Sequence, residues 1–280
     1  MKIFITGSTG FIGKHLVKNL KARGHELFLL DKDLADIKEW INEVKNFNPD
    51  AVIHLAWQGI PDYGPETSAK NLKYGLDLIE NLSKIGCKWV LSAGSCWEYG
   101  GKAGKISEDA EIKPINDFTK AKNDLHIKGR EIAQKNNIDF IWTRFFYVYG
   151  PGQKETSLIP YLIKCVREGK TPEIKNPNAK NDFIYVEDLA EALAELVENK
   201  VKTNVYNIGS GKLTAVQDVV KIIYENFKLE PKKKDTAPGS TDIYSDFFAD
   251  ISKIKKDAGW QPKTTIEQGI KNTIDYLNKQ

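Results

Sequence analysis

The chain has 280 residues, 41% hydrophobic and 28% charged, with a formal net charge of +3 and a mean hydropathy of −0.44. That length supports one large domain or two modest ones around a sizeable core, and so small an excess of scattered, mostly lysine charge argues against a nucleic-acid partner. No stretch reaches the roughly 18 apolar residues of a membrane span, so no membrane partner is expected. With a strand at the very start, no signal peptide is expected. The three cysteines, Cys87, Cys96 and Cys165, show neither a disulfide framework nor metal-ligand spacing; they read as reduced thiols of a cytoplasmic protein without a metal site. The one dense basic run, Lys232-Lys233-Lys234, reads as a solvated loop.

The first element is the apolar strand Ile3-Phe4-Ile5. It runs into Thr6-Gly7-Ser8-Thr9-Gly10-Phe11-Ile12-Gly13 and a helix predicted over 11–22. Glycines at a strand-to-helix turn let a phosphate approach the backbone closely, and the helix start offers free N–H groups and a positive dipole end. The loop therefore reads as a pyrophosphate cradle. The next strand, 26–30, closes on Asp31. A carboxylate there accepts both hydroxyls of an adenosine ribose and repels a 2′-phosphate, which favours NAD over NADP.

Strands and helices then alternate: a helix over 37–45, a strand at 51–56, a long helix over 66–85 and a strand at 88–93. A polar loop to Pro114, a helix over 117–136 and a strand at 139–143 follow. Such alternation implies right-handed crossovers and a parallel sheet covered on both faces, a doubly wound α/β fold of Rossmann type. Ligands bind beyond the carboxyl ends of such strands, which singles out the loops after Ile5, Asp31, Ala56, Ala93 and Thr143. Beyond Gly150-Pro151-Gly152 the pattern loosens into helices over 157–168, 186–199, 214–227 and 266–277, with strands at 183–185 and 205–208. The expected division is a dinucleotide-binding domain over 1–150, joined by about 183–210, and a smaller substrate-binding part from 151–182 and 211–280.

The later loops carry a second set of signals: Gly94-Ser95-Cys96-Trp97-Glu98-Tyr99-Gly100, the helix start Phe118-Thr119-Lys120-Ala121-Lys122, Arg144-Phe145-Phe146-Tyr147-Val148-Tyr149-Gly150-Pro151, and Asn181-Asp182-Phe183. Phe118 and Lys122 are four apart and share a helical face. The aromatic loop 57–63 either walls a ligand site or is a surface turn. His54, inside a strand, reads as a satisfied buried histidine. His15, His25 and His126 have no serine or carboxylate at telling spacing, so a hydrolase triad has no support.

In this order the motifs resemble the extended short-chain dehydrogenase/reductase family of NAD-dependent nucleotide-sugar epimerases, dehydratases and ketoreductases. The likeness covers essentially the whole chain and includes His54-Leu55-Ala56, Asn71-Leu72, Tyr149-Gly150-Pro151 and Gly259-Trp260-x-Pro262. It is specific for fold and cofactor and much less so for substrate. The resemblance implies that Gly7, Thr9, Gly10, Phe11 and Ile12 hold the pyrophosphate, Asp31 the adenosine ribose, and Asp33-Leu34 the adenine. Leu55, Ala56, Trp57 and Phe145 would line the middle of the cofactor, and Lys122 would grip the nicotinamide ribose. Ser95 would hydrogen-bond the reacting sugar oxygen, with Cys96, Trp97, Tyr147 and Asn181 also on the substrate. A nucleotide sugar is the implied substrate. A homodimer formed through the helices at 66–85 and 117–136 is the implied assembly.

The sequence departs from the family at its catalytic tyrosine, which is Phe118 here. A phenyl ring has no proton to transfer. Three explanations stand open: a deliberate Tyr-to-Phe replacement, a natural variant that relays the proton through Ser95, Cys96 or Tyr147, or a protein that binds dinucleotide without catalysis. Cys96-Trp97 replaces the dehydratases' Asp-Glu and argues against 4,6-dehydration, with Glu98 offset by one and expected to point elsewhere. Gly152-Gln153 after Pro151 argues against reduction coupled to C3 and C5 epimerisation. Tyr147 replaces an asparagine and Asn181 an arginine, which points to a non-standard substrate pose. The expected activity is hydride transfer at hexose C4, leaning to reduction of a nucleotide 4-keto-6-deoxyhexose. The alternatives are 4-epimerisation and a non-catalytic NAD-binding sensor or scaffold.

Overall fold

A computed structural model of the chain describes residues 1–230 and 246–279; the basic run 232–234 lies outside the described residues. The first half contains β1 (Lys2–Thr6), α1 (Phe11–Ala22), β2 (Glu26–Leu29), α2 (Ile37–Phe47), β3 (Ala51–His54), α3 (Pro65–Lys84) and β4 (Trp89–Ser95). There follow β5 (Gly104–Ile106), α4 (Asp117–Lys135), β6 (Asp139–Phe145), β7 (Tyr147–Tyr149), α5 (Leu158–Arg167), β8 (Lys180–Asn181) and β9 (Phe183–Tyr185). The last described elements are α6 (Val186–Glu198), β10 (Asn204–Ile208), β11 (Thr214–Ala215), α7 (Val216–Asn226), β12 (Phe247–Ala249), α8 (Ser252–Ala258) and α9 (Ile266–Leu277).

Six strands form one sheet in the order β10-β6-β4-β3-β1-β2, and every pairing is parallel. The two-residue period of a strand explains why both faces are apolar. Ile3, Ile5, Ile53, Leu91 and Ile141 point to the side covered by α1, α6 and α8. Phe4, Val52, Val90, Phe140 and Trp142 point to the side covered by α2, α3 and α4. The chain turns to opposite sides of β1 for β2 and β3, so the sheet's switch point lies between β1 and β3. The doubly wound α/β fold read from the alternation is the fold observed.

The smaller part contains a mixed sheet in the order β11-β8-β12-β5 and a parallel pair β7-β9. Of the stretch 183–210, β10 joins the main sheet and α6 packs on α1, while β9 pairs with β7 outside that sheet. The strands β5, β7, β8, β11 and β12 have no counterpart in the sequence reading. Each is two or three residues long, too short for any period to register. The helix expected over 214–227 gives up its first two residues to β11, where Thr214 and Ala215 pair with Asn181 and Lys180. Buried Asp182 organises this region: its carboxylate accepts from the backbone of Ser210 (2.6 Å), Gly211 (3.0 Å) and Ala249 (2.9 Å). Among the described residues no helix is long and apolar enough to cross a membrane.

Candidate active site

The glycine loop sits at the switch point. Gly7 has φ +74, and a Cβ there would lie 2.7 Å from the Ala56 nitrogen at the end of β3. A Cβ on Gly13, inside α1, would lie 2.1 Å from the Gly7 carbonyl oxygen. Both positions therefore need glycine for close backbone approach. No side chain caps α1, and its first turn carries no acid. The helix start is thus left with unsatisfied N–H groups facing a crevice, which fits a dinucleotide pyrophosphate. Asp31 is exposed, one residue beyond buried Leu30 after the end of β2.

A cleft of about 760 Å³ runs from this loop across the carboxyl ends of the strands. It brings together Gly7, Gly10, Phe11, Ile12, Leu55, Trp57, Ser95, Cys96, Trp97, Phe118, Lys122, Phe145, Tyr147 and Asn181 from the sequence-derived set. Thr9, Asp31, Asp33, Leu34 and Ala56 are not among its lining residues. Leu34 is buried in the core beside Trp40. The Asp33 carboxylate caps the Ala35 N–H at 2.9 Å and accepts from the Gln58 side chain at 3.0 Å. The backbone N–H of Ala56 lies 3.4 Å from the Thr6 hydroxyl.

The end of the cleft that holds Ser95, Phe118 and Lys122 is built from the start of α4 and the turn after β4. Asn116 starts α4 with a reciprocal cap, accepting from the Thr119 N–H at 2.9 Å, which sets the register of Phe118 and Lys122 one turn apart. Lys122 is buried; its ammonium donates to the Ala93 carbonyl at 2.8 Å and lies 3.8 Å from the centre of the Trp57 ring. Burial pulls its pKa down to about 7, only partly opposed by Glu98. On the other side, Ser95 ends β4 and begins a 3-10 turn, Cys96–Tyr99, its Oγ accepting from the Trp97 N–H at 3.2 Å. Glu98 points into the protein rather than into the cleft: fully buried, it accepts from the Ser95 N–H at 2.7 Å and from Arg144 Nε at 2.8 Å.

Phe118 is packed among Tyr63, Trp57 and Trp97, with ring centres 5.0, 5.4 and 6.1 Å away. Loop 57–63 is thereby a wall of the cleft, contributing Trp57, Gly59, Ile60 and Tyr63. Asn71 pins it from α3, its carboxamide accepting from the Gln58 N–H at 2.7 Å and donating to the Gln58 carbonyl at 3.0 Å. Burial pushes the Cys96 thiol well above its usual pKa and holds neutral His54 down at about 3, with His54 Nδ1 2.7 Å from the Thr6 hydroxyl. The Tyr147 hydroxyl accepts from the Trp97 indole at 3.2 Å.

Sequence reasoning missed Tyr63 as a neighbour of Phe118, and it missed Gln153 and Lys154 in the loop after β7. Among the described residues of the lining, Lys122 and Lys154 are the charged ones and none is a carboxylate. Among the described residues, three buried polar atoms of the lining lack a partner: Trp57 Nε1, Gln153 Oε1 and Asn181 Oδ1. Unsatisfied buried groups converging on one cleft are what a polar ligand would pair with.

A Rossmann-type sheet with a glycine loop at its switch point and a serine and lysine beyond the next strands defines a dinucleotide-dependent short-chain dehydrogenase/reductase. The chain matches the NAD dependent epimerase/dehydratase family over residues 3–209, and it belongs to that family. It is 26% identical to the dTDP-4-dehydro-6-deoxyglucose reductase of Escherichia coli, across 98% of this chain and 97% of that protein. The UDP-glucose 4-epimerase of Thermotoga maritima, solved with UDP-glucose, shares the fold with a TM-score of 0.90 at 24% identity, over 100% of this chain and 99% of that one. MoeE5, solved with UDP-glucuronic acid and NAD, gives a TM-score of 0.83 at 27% identity over 100% and 99%.

Lys122 titrates lower in the folded protein, at about 7, than at its ordinary 10.5. Between those values the unfolded chain binds the extra proton, so this group makes stability rise with pH. Denaturant titrations across pH 7 to 10 are expected to show a slope of up to about 1.4 kcal/mol per pH unit that Lys122→Met removes. Equal slopes in the two proteins would show that Lys122 keeps its proton when buried.

Proposed function

We propose that the protein is an NAD(H)-dependent enzyme that transfers a hydride at C4 of a nucleotide-activated hexose, reducing a nucleotide 4-keto-6-deoxyhexose. The observation that carries this reading is the meeting of Ser95 and buried Lys122 in the cleft that begins at the glycine loop. The uncapped start of α1 with Gly7, Thr9 and Gly10 would hold the pyrophosphate of the dinucleotide. Asp31 would hold its adenosine ribose, Asp33 and Leu34 would flank its adenine, and Leu55, Ala56, Trp57 and Phe145 would line its middle. Lys122 would hold the nicotinamide ribose. When bound, that cofactor supplies reversible two-electron chemistry at a carbonyl carbon.

The chain's own groups bind, orient and exclude water. Ser95 Oγ donates to the C4 oxygen and fixes the carbonyl. Cys96, Trp97 and Tyr147 form the sugar wall, and Asn181 with Gln153 offers amides to sugar or base. Lys154 meets the diphosphate as the second cation of the lining, its ammonium now donating to the Ile60 carbonyl and Lys122 being held against Trp57 and Ala93. Residues 1–150 with about 183–210 form the dinucleotide part, and 151–182 with 211–280 the substrate part. Support for reduction comes from Tyr147 and Asn181 in place of the asparagine and arginine of the usual epimerase pocket, from the reductase-like loop Gly94-Ser95-Cys96-Trp97-Glu98-Tyr99-Gly100, and from the likeness to the Escherichia coli reductase. Phe118 supports a second reading, a non-catalytic NAD sensor or scaffold. The packed pair α3 and α4, with Ile127 of α4 about half exposed (48%), supports a homodimer across that face.

Purified protein given NADH and a dTDP- or UDP-linked 4-keto-6-deoxyhexose is expected to oxidise NADH one-for-one with substrate. Exchange of C4 isomers without net NADH loss would transfer the assignment to an epimerase, and binding of NAD with no turnover of any such sugar would favour the sensor. Lys154→Gln should weaken UDP or dTDP binding by about tenfold in calorimetry, roughly one charged hydrogen bond, with NAD affinity unchanged; unchanged nucleotide affinity removes Lys154 from the diphosphate site. Sedimentation at micromolar concentration should give a dimer that Ile127→Glu weakens, whereas a monomeric parent would refute that interface.

A further inference from the structure

Within the reading just given, one step has no assigned group. Reduction of a ketone leaves an oxyanion unless a proton arrives, and the ring at position 118 cannot deliver one. We infer that Tyr63 is the catalytic acid that protonates the sugar C4 oxygen.

The inference rests on where Tyr63 stands. Its ring is the one nearest Phe118, 5.0 Å between centres, and it also touches Trp97 at 5.5 Å. Of the three rings around Phe118 it alone carries an ionisable O–H. It lines the cleft and is half-buried, reaching both the sugar wall and solvent. Among the described residues no hydrogen bond occupies its hydroxyl. The loop that carries it is held at three points. Asn71 grips Gln58, Asp62 accepts from the Gly64 N–H at 2.9 Å, and Lys154 reaches across from the far wall to the Ile60 carbonyl at 2.5 Å. Partial burial raises the Tyr63 pKa, so the phenol stays protonated and ready to donate at neutral pH.

The other candidates are worse placed. Cys96 is 2% exposed and packs with Tyr99, Ile106 and Phe146, in a cluster that does not include Phe118. Tyr147 packs against Phe183 and Phe247 on the β7 side, and no contact between its ring and Phe118 is present. Ser95 has too weak an acid of its own to replace the proton it gives, and suits orientation of the carbonyl better than supply. Lys122 lies 5.9 Å from the Phe118 ring centre but holds its ammonium against the Ala93 carbonyl and Trp57.

The step balances as follows. The ketone carbon is reduced by two electrons with NADH as reductant, gaining a C–H bond as the C4–O double bond becomes single. The Tyr63 O–H bond breaks as the C4 O–H bond forms, and water returns a proton to the phenolate.

Three variants test this: Tyr63→Phe, Phe118→Tyr and the double Tyr63→Phe/Phe118→Tyr. Each is assayed with NADH and dTDP- or UDP-4-keto-6-deoxyglucose, with UDP and dTDP binding measured by calorimetry as a readout independent of turnover. The expected result is that Tyr63→Phe lowers kcat by about a hundredfold or more and leaves nucleotide affinity within twofold, and that the double variant recovers the rate through the hydroxyl restored beside Lys122. A Tyr63→Phe kcat within threefold of the parent would overturn the assignment. So would a double variant as inactive as Tyr63→Phe, which marks a structural role. A parent that is inactive where Phe118→Tyr turns over would also overturn it, leaving the fold competent for reduction and the parent itself on the sensor reading. Failure of both the parent and Phe118→Tyr to reduce either ketone would overturn the reductase reading and this inference with it.

Discussion

The Glu98 carboxylate fixes the end of the sheet that carries Ser95. It is fully buried and binds the Ser95 N–H, the Trp142 indole and Arg144 Nε. Arg144 in turn donates to the Tyr99 hydroxyl at 3.0 Å, and Tyr99 donates to Asn207 Oδ1 at 2.7 Å. Asn207 completes the run by donating to the Ile106 carbonyl at 3.0 Å. The network therefore stitches the ends of β4, β6 and β10 to β5. A buried charge must be paired and hydrogen-bonded, and removing one partner of such a pair costs on the order of 3–5 kcal/mol. The alternative arrangements of these strand ends are correspondingly unfavourable, and Ser95 inherits its position from that constraint.

The dinucleotide end depends on a different constraint, close approach of backbones at the switch point. Gly7 lets the β1 loop lie against Ala56, and Gly13 lets α1 lie against that loop. Between the two ends the cleft is walled by Leu55, Trp57, Phe118, Phe145 and Trp97, with Lys122 and Lys154 as its charges. Low-dielectric walls strengthen every polar contact made inside them. A site of this kind needs few polar groups, provided each is held in place, and Asn71, Asn116 and Glu98 are the side chains that hold them.

The parts of this architecture that were legible in the sequence are those with a long or chemically unambiguous signature. The glycine loop, the alternation of apolar strands with amphipathic helices, and the four-residue spacing of Phe118 and Lys122 each survive translation into structure. The short strands β8, β11 and β12 were not legible, since two or three residues carry no period and their pairing is set by distant partners such as Asp182. Tyr63 was illegible for the same reason. Nothing in Trp57-Gln58-Gly59-Ile60-Pro61-Asp62-Tyr63 says which way the loop folds, and the answer lies thirteen residues on from Gln58, in the Asn71 carboxamide that grips it.

The aromatic box around Phe118 bears on the choice between reduction and epimerisation. An epimerase removes a proton from one C4 hydroxyl and returns it after the ketone has turned over, so its base works best shielded from solvent with its proton retained. A reductase consumes a new proton at every turnover and needs a donor that can be refilled. Lys122, deep in the wall and held to Ala93, would suit the shielded role through a tyrosine at position 118, but the ring there has no hydroxyl to couple to it. Tyr63 lines the cleft and is half-buried, so that water can reach it. On the proposal that Tyr63 is the proton source, reversible exchange at C4 would lose the shielded base it requires, while one-way reduction would keep the refillable donor it requires.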